Sequence, residues 1–257
     1  MSLASNRGTI EALEFGLVTS TSMMMPTPWV AGFARYLKDH PDTDVGLHLT
    51  MTSEWDDYRW APVAGKPTVP TLADKQGCLW DGNELVYQHA SADDVEEEIR
   101  AQVDRALAMD IKVSHLDSHM GTLFYNPALF ERFKKVAIEK QIPLLMMAEH
   151  PAAEEVWKAG LPVIDHLHTD SYDWKTTDKK QQYIAAVRNL KPGITEMIVH
   201  STKPDDVIGV ITGGRDHLYA DYSALTDPEV KKVAEEEKII LTTWRELKDR
   251  RDKAGQN

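Results

Sequence analysis

Strand-like and helix-like segments alternate along this chain, and that alternation narrows the available folds more than any other feature. Apolar or β-branched runs at 17–25, 44–52, 112–119, 143–148, 195–200 and 239–242 read as strands. Stretches 5–15, 29–38, 93–109, 127–140, 179–190 and 227–237 carry helical spacing, and a polar helix runs through Arg251 after the last strand. Ser5 or Asn6 and the run Ser91-Ala92-Asp93-Asp94 supply N-cap chemistry, and Gly16 supplies a C-terminal stop. Strand–helix–strand succession calls for a parallel sheet covered by helices. No linker, repeat or low-complexity tract divides the 257 residues, so one α/β domain spanning 1–257 is expected, a size ordinary for an α/β barrel. The segment 151–175 fits neither pattern.

Residues 53–90 break the alternation. They are rich in Trp, Pro and Gly and show no clear period. A structureless loop of that length is unusual inside a domain, and Trp55, Tyr58, Trp60, Trp80 and Tyr87 argue against disorder. A partly folded insertion lying over a site is the expectation.

Charge excludes some partners. A net charge of −12 opposes binding to a nucleic-acid backbone or an anionic membrane but is compatible with a neutral sugar. No run approaches the roughly 20 apolar residues of a membrane span. Cys78 is the single cysteine, which suits a reducing, cytoplasmic setting, and it has no histidine context that would make it a nucleophile. Met1-Ser2-Leu3 runs straight into the first helix like an expression remnant joined to mid-domain sequence, so a lost N-terminal segment is expected.

Two histidine motifs stand at strand ends: Gly46-Leu47-His48-Leu49-Thr50 and His115-Leu116-Asp117-Ser118-His119-Met120-Gly121. Residues two apart share a strand face, which groups His115, Asp117 and His119, then Gly46, His48 and Thr50, and then Glu196, Ile198 and His200. Three strands thus aim a histidine from their C-terminal ends, where α/β folds build sites. Imidazoles beside a carboxylate bind zinc or a similar divalent ion and leave positions open for water and substrate. Such an ion acidifies water and polarises a carbonyl, a carboxylate can take the proton, and an imidazolium can give one to a leaving group.

Asp117 is either a further ligand or anchor, or a cap on the turn after its strand. Glu196 either fixes the tautomer of His200 and raises its pKa, or pairs with a neighbouring base. Arg215, in Gly213-Gly214-Arg215-Asp216-His217, either clamps a substrate oxygen or is a solvated loop arginine. Trp55, Trp60 and Trp80 either stack on sugar rings or form the insertion's own core. His115 is a candidate substrate contact. His166 and His168 flank Leu167 without strand-end context. There is no glycine-rich phosphate loop, nucleophile elbow or Cys-x-x-Cys pair.

With these residues the chain resembles the YdjC-like family of carbohydrate deacetylases, which includes the chitooligosaccharide deacetylases. The resemblance rests on Leu17-Val18-Thr19-Ser20-Thr21-Ser22, Val45 to Thr50, His115 to His119, Gly193-Ile194-Thr195-Glu196-Met197-Ile198-Val199-His200, and Ile240 to Leu247. These segments follow in order over nearly the whole chain. The resemblance implies a deformed, TIM-like (β/α) barrel, one divalent metal ion (Mg or Zn, with Mn or Co open), and hydrolysis of an N-acetyl group from a small acetylated amino sugar. It also implies that His48 and His119 are metal ligands, and that His200 is the acid near the leaving amine with Glu196 beside it. Family members begin with an apolar strand ending in Asp-Asp-x-Gly, which supplies a ligand and a base. That strand and its motif are absent here, so this chain is expected to be nearly inactive as written unless Asp117 or another acid substitutes.

Three functions follow as expectations. The first is a metal-dependent deacetylase of a small acetylated carbohydrate. The second is a metal-dependent hydrolase or isomerase of another polar metabolite. The third is a catalytically impaired carbohydrate- or metal-binding protein. A homodimer shielding barrel surface is a further expectation.

Overall fold

The computed structural model describes residues 1–254. Their regular elements in order are α1 (Leu3–Phe15), β1 (Thr21–Met23), α2 (Val30–Asp39), β2 (Val45–Leu49), α3 (Asn83–His89), α4 (Ala92–Ala108), β3 (Val113–Ser118), α5 (Pro127–Lys140), α6 (Ala153–Lys158), β4 (His166–His168), α7 (Lys179–Arg188), β5 (Thr195–Met197), α8 (Asp206–Ile211), α9 (Arg215–Leu225), α10 (Pro228–Glu236) and α11 (Trp244–Ala254). The fold is α/β with parallel strands, as the alternation predicts.

β1, β2 and β3 are parallel neighbours in that order, with Ser22 opposite Gly46 and His48 opposite Asp117. β4 pairs in parallel with β5. Single bridges join the two sheets through the segment predicted as a strand at 143–148: Leu116 pairs with Leu144, and Met147 with Ile164 just ahead of β4. A parallel ribbon therefore runs in sequence order from β1 to β5, with helices in the connections.

Local chemistry explains the helices. Ser91 caps α4 by accepting from the Asp94 amide, and Asp93 and Asp94 in the first turn suit the positive end of the helix. Asn126 caps α5 and Pro127 opens it. The largest core cluster packs Leu47, Leu49 and Leu116 from the sheet against Ile99 and Val103 of α4 and Phe133 and Val136 of α5. A second cluster joins Tyr183, Ile184 and Val187 of α7 to Val230 and Val233 of α10.

Three expectations need correction. Residues 239–242 form no strand: Ile240 is 81% exposed and Leu241 49%. The local pattern found no neighbouring edge to pair with, and a strand without a ladder leaves its backbone groups to water. The ambiguous stretch 151–175 supplies α6 and β4, so His166 and His168 do sit in a strand. Arg215 is not in a loop; it is the first residue of α9.

The aromatic-rich segment 53–90 is folded onto the rest. Glu98 of α4 accepts from the Val63 and Ala64 amides at 2.9 Å each. Trp60 is 3% exposed and belongs to the main core. No helix of the described residues is long and apolar enough to cross a membrane.

Candidate active site

The site is assembled where β2 and β3 end. β2 delivers His48 and the register sets Asp117 of β3 directly opposite. His48 Nδ1 lies 2.5 Å from Asp117 Oδ1, and Ser22 in the middle of β1 donates to Asp117 Oδ2 at 2.8 Å. Burial alone would discourage the His48 imidazolium, but the carboxylate of Asp117 outweighs it and His48 is raised. Burial would likewise raise Asp117, and His48 holds it below the ordinary carboxylate range.

His119 follows β3 in a sharp turn. Met120 has φ of +52° and Gly121 +64°, a left-handed pair that turns the chain back. Asn83 of α3 donates to Met120 O at 2.8 Å and accepts from Thr122 Oγ1 at 2.6 Å, clamping that turn. The His119 ring meets His48 edge-on, with centroids 5.1 Å apart. Its Nε2 lies 2.8 Å from Glu54 Oε1. Burial lowers His119 despite the pull of Glu54, so the ring keeps a lone pair near neutrality. Glu54 also accepts from Thr52 Oγ1 at 3.1 Å and is held below its ordinary range, burial being outweighed by His119.

Glu54 is a site residue that the sequence reading missed. It lies in the non-periodic segment, where nothing local marks it; the proximity of Thr50 and Thr52 to the His48 strand end was the one available hint.

Glu196 and His200 come from β5 and its exit. Burial and the charge of Asp117 push Glu196 up to about 8, although the Trp244 side chain donates a hydrogen bond to it. Its Oε2 is buried without a hydrogen-bond partner. His200 keeps an exposed edge, yet the protein packed around it, then His48 and His119, push it down to about 4. Both shifts run against the expectation of a His200 acid whose pKa Glu196 raises. At neutral pH, Glu196 carries the proton and His200 does not. The reason is tertiary: both groups are desolvated by the protein around them, Glu196 beside a second carboxylate and His200 beside two imidazoles.

His115 is not a substrate contact. The register between β2 and β3 slips by one residue between Val113 and Leu116, which interrupts the alternation that would align His115 with Asp117. His115 is 3% exposed, with Nδ1 2.9 Å from Ser114 Oγ and its ring stacked on Trp244 at 5.3 Å and 17°. Gly46 is what admits it, since a Cβ there would lie 2.5 Å from the imidazole. Asp44 fixes Trp244 by accepting from the Trp244 and Arg245 amides at the start of α11 and from Ser114 Oγ.

The remaining candidates make their contacts with other groups. Trp60 is buried, its Nε1 donating to Thr52 O at 2.8 Å, and so cannot stack on a sugar. Trp55 is half-buried, edge-on to Trp60 at 5.3 Å. Trp80 donates to Thr71 O and stacks on His89. Arg215 is exposed and pairs with Asp216 at 2.9 Å.

The donor set suits two places on a divalent ion. Each imidazole is gripped by a carboxylate through one nitrogen, the arrangement that orients histidine ligands elsewhere. Two imidazoles sharing an ion at about 2.1 Å would hold their ring centroids roughly 5 Å apart, in keeping with the 5.1 Å seen here. Among the described residues, no group of three His, Cys, Asp or Glu is gathered to hold a metal ion unaided. A bound ion would thus take His48 and His119 and complete its sphere with other donors.

A family model described as YdjC-like protein matches residues 1–236. A carbohydrate deacetylase of Thermoanaerobacter pseudethanolicus is 25% identical over 243 residues, covering 95% of this chain and 93% of that protein. A carbohydrate deacetylase of Thermus thermophilus is 28% identical over 256 residues, covering 95% and 89%. A crystal structure from Enterococcus faecalis, described as a cellobiose-phosphate cleavage protein, superposes with a TM-score of 0.82 over 96% of this chain and 94% of that one, at 23% identity; this likeness establishes the fold.

Proposed function

The chain belongs to the YdjC-like protein family, and from that membership together with the site's geometry we propose that it is a carbohydrate deacetylase, hydrolysing an N-acetyl group on a small amino sugar. What supports the reading is the convergence on one strand-end region of two carboxylate-held imidazoles, a buried carboxylic acid and an unprotonated histidine. Curated relatives over nearly the full length carry the name carbohydrate deacetylase. We read the parallel ribbon as an arc of a deformed (β/α) barrel, with 53–90 an insertion that brings Glu54 to the site.

A divalent ion would be held by His48, through the Nε2 that Asp117 leaves free, and by His119. When bound, such an ion polarises the acetyl carbonyl and acidifies water. Asp117 holds His48 in one orientation and tautomer, with Ser22 holding Asp117 in turn. Glu54 does the same for His119.

The reaction joins a water oxygen to the acetyl carbon and breaks the C–N bond, giving acetate and a free amine. His200, unprotonated at neutral pH, accepts the proton of the attacking water on a ring nitrogen. Glu196, which holds its proton at neutral pH, gives it to the departing nitrogen. A like pattern, two ionisable groups pushed apart by their surroundings, separates acid from base in other hydrolases. One proton then passes from His200 to Glu196 through solvent to restore both.

The test is acetate release from a short N-acetylglucosamine oligomer, with and without a chelator, on this chain and on His48→Ala. With Glu196 as the acid that substitutes and His200 as the base, the expected result, in place of the near-inactivity expected from the sequence, is chelator-sensitive release that His48→Ala loses. No release from the intact chain, with a divalent ion shown to bind, would move the assignment to another substrate of the same site.

A further inference from the structure

A charged network that the proposed chemistry does not use lies behind His200. Lys179 opens α7 and Tyr183 follows four residues on, the spacing that puts both on one helix face. Asp221 comes from the middle of α9. Lys179 and Asp221 are 2% and 1% exposed, with Nζ 2.7 Å from Oδ1. Tyr183 donates to the same Oδ1 at 2.7 Å, and Lys179 Nζ also donates to Ser171 O at 2.6 Å.

The network reaches the exit of β5 at two points. Asp221 Oδ2 accepts from the His200 amide at 3.4 Å, and Ser171 Oγ donates to Ile198 O at 3.1 Å. The backbone that presents His200 is therefore hung on groups from α7, α9 and the turn at Ser171. Tyr172, next in that turn, meets the His200 ring edge-on at 5.7 Å.

Such a pair is a poor device for stability. Taking two charges out of water costs several kcal/mol per ion, and well-packed apolar residues of similar volume often serve as well or better. What the pair supplies that apolar residues cannot is a directed acceptor for one backbone amide.

We infer that Lys179 and Asp221 are positioning residues for the deacetylation site, fixing the backbone of His200 so that its imidazole faces the His48–His119 pair. This rests on the deacetylase reading for its consequence and on geometry alone for the placement. The titratable and charged groups around His200 are His48 and Asp117 from the strands, His119 from the turn after β3, and Lys179 with Asp221 from the helices.

The experiment compares the full chain with the double variant Lys179→Met/Asp221→Leu and with Asp221→Asn. The double variant removes both charges together, so no lone buried ion remains. Asp221→Asn keeps the shape but turns an amide NH2 toward the His200 N–H. In both, kcat for acetate release should fall about 10- to 100-fold with KM held, the scale of a misplaced catalytic group. By NMR, the His200 amide should exchange faster with solvent. In the double variant the midpoint of its imidazole should also move from that of the intact chain, because the ring is no longer held in place and both charges behind it are gone. A folded variant with unchanged kcat, His200 exchange and midpoint overturns the inference. If the intact chain releases no acetate, the deacetylase reading fails, while the His200 resonances still decide the placement.

Discussion

Gly46→Ala probes how tightly the support beneath the site is packed. A Cβ at Gly46 would lie 2.5 Å from His115 Cε1 and Nδ1 and 2.6 Å from Nε2. Atoms in contact prefer about 3.5–4.0 Å, so the imidazole must retreat by about 1 Å. It has little room, being held by Ser114 and stacked on a Trp244 that is itself 5% exposed. Forcing a methyl into such a place costs about 1–3 kcal/mol. At roughly 2–4 °C per kcal/mol for a chain of this size, the melting temperature should fall by about 2–12 °C. Circular dichroism on heating, with urea unfolding at constant m, measures it. Because Trp244 donates to Glu196, the same variant should lose acetate release. In a His115→Ala background the clash is absent, so the substitution should be nearly neutral there, a coupling of about 1–3 kcal/mol. A melting temperature unchanged within about 1 °C, or an equal loss in both backgrounds, refutes the packing argument.

Asp117→Asn keeps the shape at His48 but removes the charge, and should weaken binding of Zn²⁺ or Co²⁺ by about 10- to 100-fold in calorimetric titration. The intact chain should lose kcat/KM as pH rises through about 8, and Glu196→Gln should abolish that fall at a cost of about 10²–10⁴ in rate. The same group sets a stability slope. Its folded pKa lies above the unfolded value near ~4.3, so its stabilising contribution is whole below that value and is lost as pH rises to about 8. Urea midpoints against pH should lose that slope in Glu196→Gln. Glu98→Ala strands the half-buried amides of Val63 and Ala64 and should cost about 2–6 kcal/mol by chemical denaturation, two unsatisfied donors at about 1–3 each.

The longer helices were legible because their evidence is local: a cap at Ser91 and apolar spacing over three or more turns. α8 and α9 were not foreseen, since short helices with weak periodicity are decided by the surfaces they cover. β4 was missed for the same reason, three residues being too few for an alternation to show. In the site, His48, Asp117 and His119 could be read because one motif holds two of them and two-residue spacing aligns them. Glu54 could not, being held by a 65-residue separation from His119.

The sequence by itself determined the long helices, the parallel α/β class and the strand ends that carry the histidines. These follow from turn chemistry and from periodicities of 2 and 3.6, which neighbouring residues impose on one another. Tertiary structure alone decided which groups carry protons and which are buried supports. His115 became a pillar through a one-residue slip in register. Glu196 holds its proton because it is buried and a carboxylate from another strand adds to the effect, and His200 sheds its own because protein packs around it and two imidazoles stand nearby. Charge and burial act across space, and the distances that set them exist only once the chain has closed on itself.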